Sequence, residues 1–299
     1  MGESDDFVLP KFFALERDSE DGHNALLLGA PGEGKTTLLQ YLSVLAVTGM
    51  DPYGNKREKQ AGLWRARKHD KYLEFFNLGL GKLMFPNNAS FSLYRVRAGF
   101  PPEEVELDQL ESEGIEYGFY EDAVDLVKKL EVGKILCIMF PEDPNRPDEE
   151  AEFYVSLFEA LKVRKSQEYV HLVVDEIGDL FPLNAEGRYI LHQRAVKAFN
   201  DFRKTSVNSV FAAHSTKDLD YRFIPKLKYR IYKAGAKKIE GDAPDLRQKT
   251  INFTPVNAAW FVRTVYYDQF LFPDMKPEAK LNYKLQTVGR QFVIEAVKS

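Results

Sequence analysis

The chain has one cysteine in 299 residues, Cys137. A lone thiol cannot close an internal disulfide, so a disulfide-stapled secreted scaffold is excluded. Cys137 lies inside the apolar run Ile135 to Phe140, which suits a buried structural thiol. The five histidines are scattered, and with the one cysteine in a core strand no zinc-site spacing exists. No apolar stretch reaches the ~20 residues of a membrane span. No N-terminal signal pattern is present. No membrane insertion is therefore expected, and the chain reads as cytoplasmic. Positive charge is not in excess either. The net charge of −4 excludes a uniformly basic nucleic-acid binder but leaves room for local basic patches.

What is present starts with 44% apolar residues, enough for a substantial core. At this length the chain can hold one large domain or two small ones. The stretch Gly29-Ala30-Pro31-Gly32-Glu33-Gly34-Lys35-Thr36 has the form G-x-x-x-x-G-K-T, followed by Thr37. The apolar run Ala25 to Leu28 leads in as a strand, and Leu38 to Leu42 leaves as a helix. That is the setting of a phosphate-binding P-loop. Glycines let backbone N–H groups turn towards a phosphate at a helix N-terminus that already favours negative charge. Lys35 is placed to reach the β- and γ-phosphates of ATP, and the Thr36 hydroxyl to ligate Mg²⁺. Residues Gly29 to Thr37 are the expected nucleotide-binding set.

Along the chain, residues 1–23 read as an arm or edge element, and the nucleotide-binding unit starts near Asn24. Its first helix is expected from Lys35 to about Val47, ended by Gly49 and the turn Asp51 to Gly54. Residues 55–90 read as irregular and basic. Lys56, Arg57, Lys59, Arg65, Arg67, Lys68 and Lys71 form a first basic patch, with Trp64 and Tyr72 among them. It reads either as a solvated surface or as a phosphate-backbone contact with aromatics for stacking. Phe91 to Val96 alternates as a strand. Residues 101–127 hold ten carboxylates and no Lys or Arg, so the block 101–130 reads as an acidic surface insertion. Further strands are expected at Ile135 to Phe140, Val170 to Val174, Val207 to Ala213 and Tyr229 to Tyr232, with helices at Ala151 to Val163 and about Ala185 to Arg203. Strands alternating with helices predict an α/β fold with a mainly parallel sheet covered on both faces. Residues 242–299 read as a smaller C-terminal extension with strands at Trp260 to Tyr267 and Phe292 to Val297. Arg222, Lys226, Lys228, Arg230, Lys233, Lys237 and Lys238 form a second basic patch, with ordinary solvated surface as the alternative reading.

Two further elements carry chemistry. The strand Leu172-Val173-Val174 ends in Asp175-Glu176, a Walker B pattern about 140 residues after the P-loop. Asp175 is placed to hold Mg²⁺ opposite Thr36, and Glu176 to polarise the water that attacks the γ-phosphate. The strand Val210 to Ala213 ends in His214-Ser215, and either residue is placed to sense that phosphate; an ordinary polar turn is the alternative. Thr216-Lys217-Asp218-Leu219 approaches a guanine motif but has Leu219 at its fourth position.

Asp175-Glu176-Ile177-Gly178-Asp179-Leu180-Phe181-Pro182 resembles the D-E-x-x-x-L-F-P stretch of the HerA–FtsK superfamily, ring-forming ATPases that translocate or package DNA. Phe202-Arg203-Lys204 is similar to that family's R-K segment, and Ala212 to Leu219 to its sensor stretch, with His214 or Ser215 where the family has glutamine. The resemblance spans about residues 24–238, without 55–130. It implies a RecA-like P-loop domain over 24–241, double-stranded DNA as partner, and a homo-hexamer. It also implies an arginine acting on a neighbouring subunit's ATP: Arg203 first, then Arg194 and Arg188. The family's N-terminal barrel and membrane segments have no counterpart, leaving a minimal motor core. The rival readings are a P-loop ATPase that acts on protein, like the Zot group, and a nucleotide-binding scaffold. Glu176 argues against the scaffold.

Overall fold

A computed structural model of the chain describes residues 12–13, 22–67, 71–143, 145–146, 148–166, 168–183, 187–202, 204–273, 281 and 283–289. The uncharged apolar runs become the centre of one sheet. These strands are β1 (Asn24–Leu28), β7 (Ile135–Met139), β8 (Val170–Val174) and β9 (Val207–Ala213). Their side chains alternate between two covered faces, which is why they read as continuous apolar runs. In β1, Ala25 and Leu27 pack with Leu38, Leu39 and Leu42 of helix α1 (Lys35–Thr48). Leu26 and Leu28 face the opposite layer, built from α5 (Glu149–Val163) and α7 (Tyr189–Phe202). There the ring of Phe158 lies 4.9 Å from that of Phe199, which lies 4.6 Å from that of Phe211. Full burial of each such ring contributes about 1.5–3 kcal/mol.

Two strands inside this sheet come from the stretch expected to be irregular: β2 (Ala61–Ala66) and β3 (Gly81–Pro86), with the short α2 (Glu74–Asn77) between them. Charge hid them. Arg65 interrupts the first run and Lys82 the second, yet Arg65 is neutralised inside the fold by Glu150, and Lys82 pairs with Glu116. The acidic stretch holds β5 (Glu103–Glu104), α3 (Leu107–Ser112), β6 (Tyr117–Tyr120) and α4 (Ala123–Lys128). Of these, β6 pairs parallel with β3 and closes one edge of the main sheet. The strand expected at Phe91 to Val96 forms as β4 (Phe91–Val96) in a separate small sheet.

Past the turn α6 (Ile177–Leu180) and β10 (Tyr229–Tyr232), the chain adds α8 (Gln248–Asn252), β11 (Ala258–Arg263), β12 (Tyr266–Leu271) and β13 (Lys284–Gly289). The ten-stranded sheet runs β12, β11, β10, β1, β9, β8, β2, β7, β3, β6. All neighbours from β10 to β6 are parallel, and β11 and β12 are antiparallel. The C-terminal segment thus continues the main sheet past β10, while β13 pairs with β4 beside β5 in the three-stranded sheet. The fold is an α/β P-loop domain of RecA-like plan. Phe12 and Phe13 of the arm are buried, Phe12 against Tyr229 and Phe261. Cys137 is buried in β7, as expected. No described helix is long and apolar enough to cross a membrane. The strand expected at Phe292 to Val297 lies outside the described residues.

Candidate active site

Parallel strands put their carboxyl ends along one side of a sheet, where α/β proteins hold their ligands. Here β9 lies between β1 and β8, with Leu28 level with Ala213 and Phe211 with Val174. The residues that follow these three strands therefore meet: the P-loop after β1, His214 after β9, and Asp175-Glu176 after β8. Sequence distance hides this, because 139 residues separate Thr36 from Asp175.

The turn from Gly29 to Gly34 joins β1 to α1, and Lys35, Thr36 and Thr37 sit in the first turn of that helix. Gly32 and Gly34 adopt φ of 81° and 76°, left-handed values that favour glycine. Pro31 and Gly32 are exposed at the crest, and a Cβ on Gly32 would meet nothing within 4 Å. The loop thus offers an open, backbone-lined cradle at a helix N-terminus, which fits a phosphate chain. Behind it, the Ala30 N–H donates to the Ala234 carbonyl at 3.0 Å.

The catalytic candidates form a connected chain. Lys35 Nζ donates to the Gly29 carbonyl at 2.9 Å and the Ala30 carbonyl at 3.3 Å. It also lies 2.8 Å from His214 Nδ1 and 4.0 Å from Glu176 Oε1. His214 Nε2 is 3.1 Å from Glu176 Oε1. An ammonium has no lone pair, so Nδ1 accepts from Lys35, which leaves Nε2 facing the Glu176 carboxylate. Burial lowers the Lys35 pKa, opposed by Glu176, Asp175 and Glu33. Burial followed by the Asp175 charge raises that of Glu176, opposed by His214 and Lys35.

Thr36 Oγ1 donates to Asp175 Oδ2 at 2.8 Å, and Asp175 Oδ1 accepts from the Glu176 N–H at 3.0 Å. Among the described residues no group of three or more His, Cys, Asp or Glu side chains converges on one point. One hydroxyl beside one carboxylate is a fitting donor set for Mg²⁺, which keeps waters and takes the rest of its oxygens from a substrate's phosphates.

Ser215 does not join this chain. Its Oγ accepts from the Lys217 N–H at 3.1 Å and caps the short turn Thr216–Asp218. Of the two sensor candidates, His214 is the one beside Lys35 and Glu176. Arg203 lies outside the described residues, as does Lys68. Arg194 is engaged with Glu159, and Arg188 with Asp148.

The basic patches are largely spent on internal contacts. Arg57 pairs with Asp51, Arg67 with Asp179 and Arg222 with Asp220. Arg65 and Arg230 are buried, and Lys238 Nζ donates to the Ala243 and Leu246 carbonyls. Lys233 departs furthest from a phosphate-contacting surface residue, being 0% exposed. It donates to the Val256 carbonyl and, at 2.7 Å, to that of Ala258, with its ammonium 4.6 Å from the centre of the Phe272 ring. Burial pushes its pKa down to about 8, opposed by Glu33. A Cβ on Gly34 would come within 2.9 Å of the Val256 oxygen. The stretch around Val256 and Ala258 therefore packs directly on the P-loop, a role its turn-rich sequence does not signal. Lys56, Lys59, Lys71, Lys226 and Lys237 remain exposed.

No protein-family model and no curated protein matches the sequence. Several solved structures are similar in outline, three of them as follows. The genome packaging NTPase B204 from Sulfolobus turreted icosahedral virus 2, in complex with AMPPCP, is 9% identical, with 84% of this chain and 98% of that chain covered and a TM-score of 0.47. The bacterial conjugative coupling protein TrwB is 11% identical, with 88% of each chain covered and a TM-score of 0.44. The N-terminal domain of zonular occludens toxin from Neisseria meningitidis is 13% identical, with 90% of this chain and 96% of that chain covered and a TM-score of 0.30. At these scores the fold is read from this chain's own strand order and P-loop.

Proposed function

We propose that this chain hydrolyses ATP and uses the turnover to move double-stranded DNA, working as a homo-oligomeric ring of six copies. The observation that carries the hydrolytic half is the Lys35–His214–Glu176 chain beside the Thr36–Asp175 pair. The P-loop amides and Lys35 bind and orient the phosphates. Lys35 can exchange its Gly29 and Ala30 carbonyls for phosphate oxygens and neutralise charge that grows on the γ-phosphate. Thr36 and Asp175 would hold Mg²⁺, which neutralises phosphate charge and aligns the β- and γ-groups. Glu176 accepts a proton from the attacking water. His214 touches both Lys35 and Glu176, so occupancy of the cradle is felt at the base. The DNA half rests on the sequence resemblance and on the exposed lysines.

The test of the DNA half is the ATP hydrolysis rate with and without duplex DNA at several salt concentrations. Stimulation by duplex that weakens as salt rises is the expected result. Lys226→Ala combined with Lys237→Ala should weaken duplex binding and flatten the log–log salt slope by about 1 to 2, the value for one or two lost phosphate contacts. An unchanged slope would remove these lysines from the DNA path.

Ring assembly has its own test. Arg203→Ala should keep nucleotide binding and lose about 10³-fold in turnover, the scale of an arginine supplied to a neighbouring site. Mixing it with Lys35→Ala should restore activity, because mixed rings contain sites with an intact P-loop and an intact neighbouring Arg203. Mixed rings that form and stay inactive would put Arg203 outside this role, leaving Arg194 and Arg188 to be tried.

A further inference from the structure

Arg65 stands at the carboxyl end of β2, beside β8, where Trp64 is level with Val173. It is 4% exposed, and its guanidinium is divided between two tasks. Nε and Nη2 donate to the two carboxylate oxygens of Glu150 at 2.8 and 2.6 Å. Nη1 donates to the backbone carbonyls of Asp175 at 3.1 Å and Glu176 at 3.2 Å. A planar fork can grip a carboxylate on one edge and carbonyls on the other, which a lysine ammonium cannot do.

The gripped backbone is unusual. Glu176 has φ 49° and ψ 56°, the left-handed region that side chains bearing a Cβ disfavour. Such a conformation persists only where its surroundings hold it in place. The conformation also decides where the Glu176 carboxylate points, and here it points at His214. Glu150 belongs to the first turn of α5, so the grip ties the catalytic turn to that helix.

We propose that Arg65, with Glu150 as its counter-charge, is a positioning residue that holds the Asp175–Glu176 turn left-handed and so aims the Glu176 carboxylate. The proposal rests on reading Glu176 as the water-polarising base. Removing Arg65 alone would strand the Glu150 charge beside the core, and that variant could fail to fold. The test therefore replaces both groups, Arg65→Gln with Glu150→Gln, leaving two amides that can bond to each other.

Three readouts are taken on the full chain. A crystal structure of the double variant should show residue 176 with negative φ. Nucleotide affinity should stay within about threefold while kcat falls by roughly 30-fold or more, the pattern of a lost transition-state contact. Added to Glu176→Gln, the same double change should lower residual turnover by less than about threefold, because residues that act through one group are not additive. Retention of positive φ at Glu176 overturns the proposal whether or not the wild type hydrolyses ATP. Full kcat in the folded double variant, or losses that multiply in the Glu176→Gln background, overturn it too. A wild type that binds but never hydrolyses ATP would instead defeat the functional reading, and the backbone at Glu176 would still decide the positioning role.

Discussion

Glu176→Gln binds Mg²⁺ and ATP with near wild-type affinity and turns ATP over about 10³ to 10⁴-fold more slowly, the upper range for loss of a general base. The amide has the shape of the carboxylate and can keep the same place beside His214 Nε2. It has no charge with which to take a proton from water. Burial and the neighbouring Asp175 raise the Glu176 pKa, and the pH profile should record this. The carboxylate is the active form, so activity is present at higher pH and is lost as pH falls through its pKa. The acid limb of the wild-type rate should lie above the ordinary carboxylate range and should be missing from Glu176→Gln. Stopped-flow phosphate release with parallel nucleotide titration measures both. Near-normal turnover in Glu176→Gln would move the base elsewhere.

Lys35→Ala loses kcat/KM for ATP by roughly 10⁴-fold, since the same ammonium serves ground-state binding and the transition state. The fold survives, because removing a lysine whose burial lowers its pKa removes a desolvation cost. Three acceptors lose their donor: the Gly29 and Ala30 carbonyls and His214 Nδ1. All three border the open cradle, where water can replace the ammonium. Calorimetric titration with a non-hydrolysable ATP analogue should show affinity at least about 100-fold weaker, with the thermal midpoint shifted by no more than a few degrees. Affinity within threefold of wild type in a folded protein would contradict the P-loop assignment.

Motif and strand pattern were legible in the sequence where one type of residue dominates locally. The P-loop, the apolar strands β1, β7, β8 and β9, and Asp175-Glu176 need no tertiary context. Contacts supplied from afar were not legible. Arg65 made β2 look like a basic surface segment, because its partner Glu150 is 85 residues away. Lys233 looked like part of a patch, and carbonyls from residues 256 and 258 make it an internal tie. His214 and Ser215 were equivalent on paper. The parallel placement of β9 between β1 and β8 brings His214 to Lys35 and Glu176, while Ser215 caps the next turn. The run expected as one strand at Trp260 to Tyr267 is broken by a turn at Thr264-Val265 into the antiparallel β11 and β12, and their union with β10 is a pairing choice that no local pattern announces.

The central claim is that hydrolysis at this site drives movement along double-stranded DNA. Displacement of a third strand from a triplex placed at one end of a duplex measures that movement directly. The wild type should displace the third strand at a rate that requires ATP and grows slower as the duplex approach lengthens. Glu176→Gln should bind the same DNA and displace nothing. ATP hydrolysis at full rate with no displacement on any duplex, or displacement by Glu176→Gln equal to the wild type, would contradict the account.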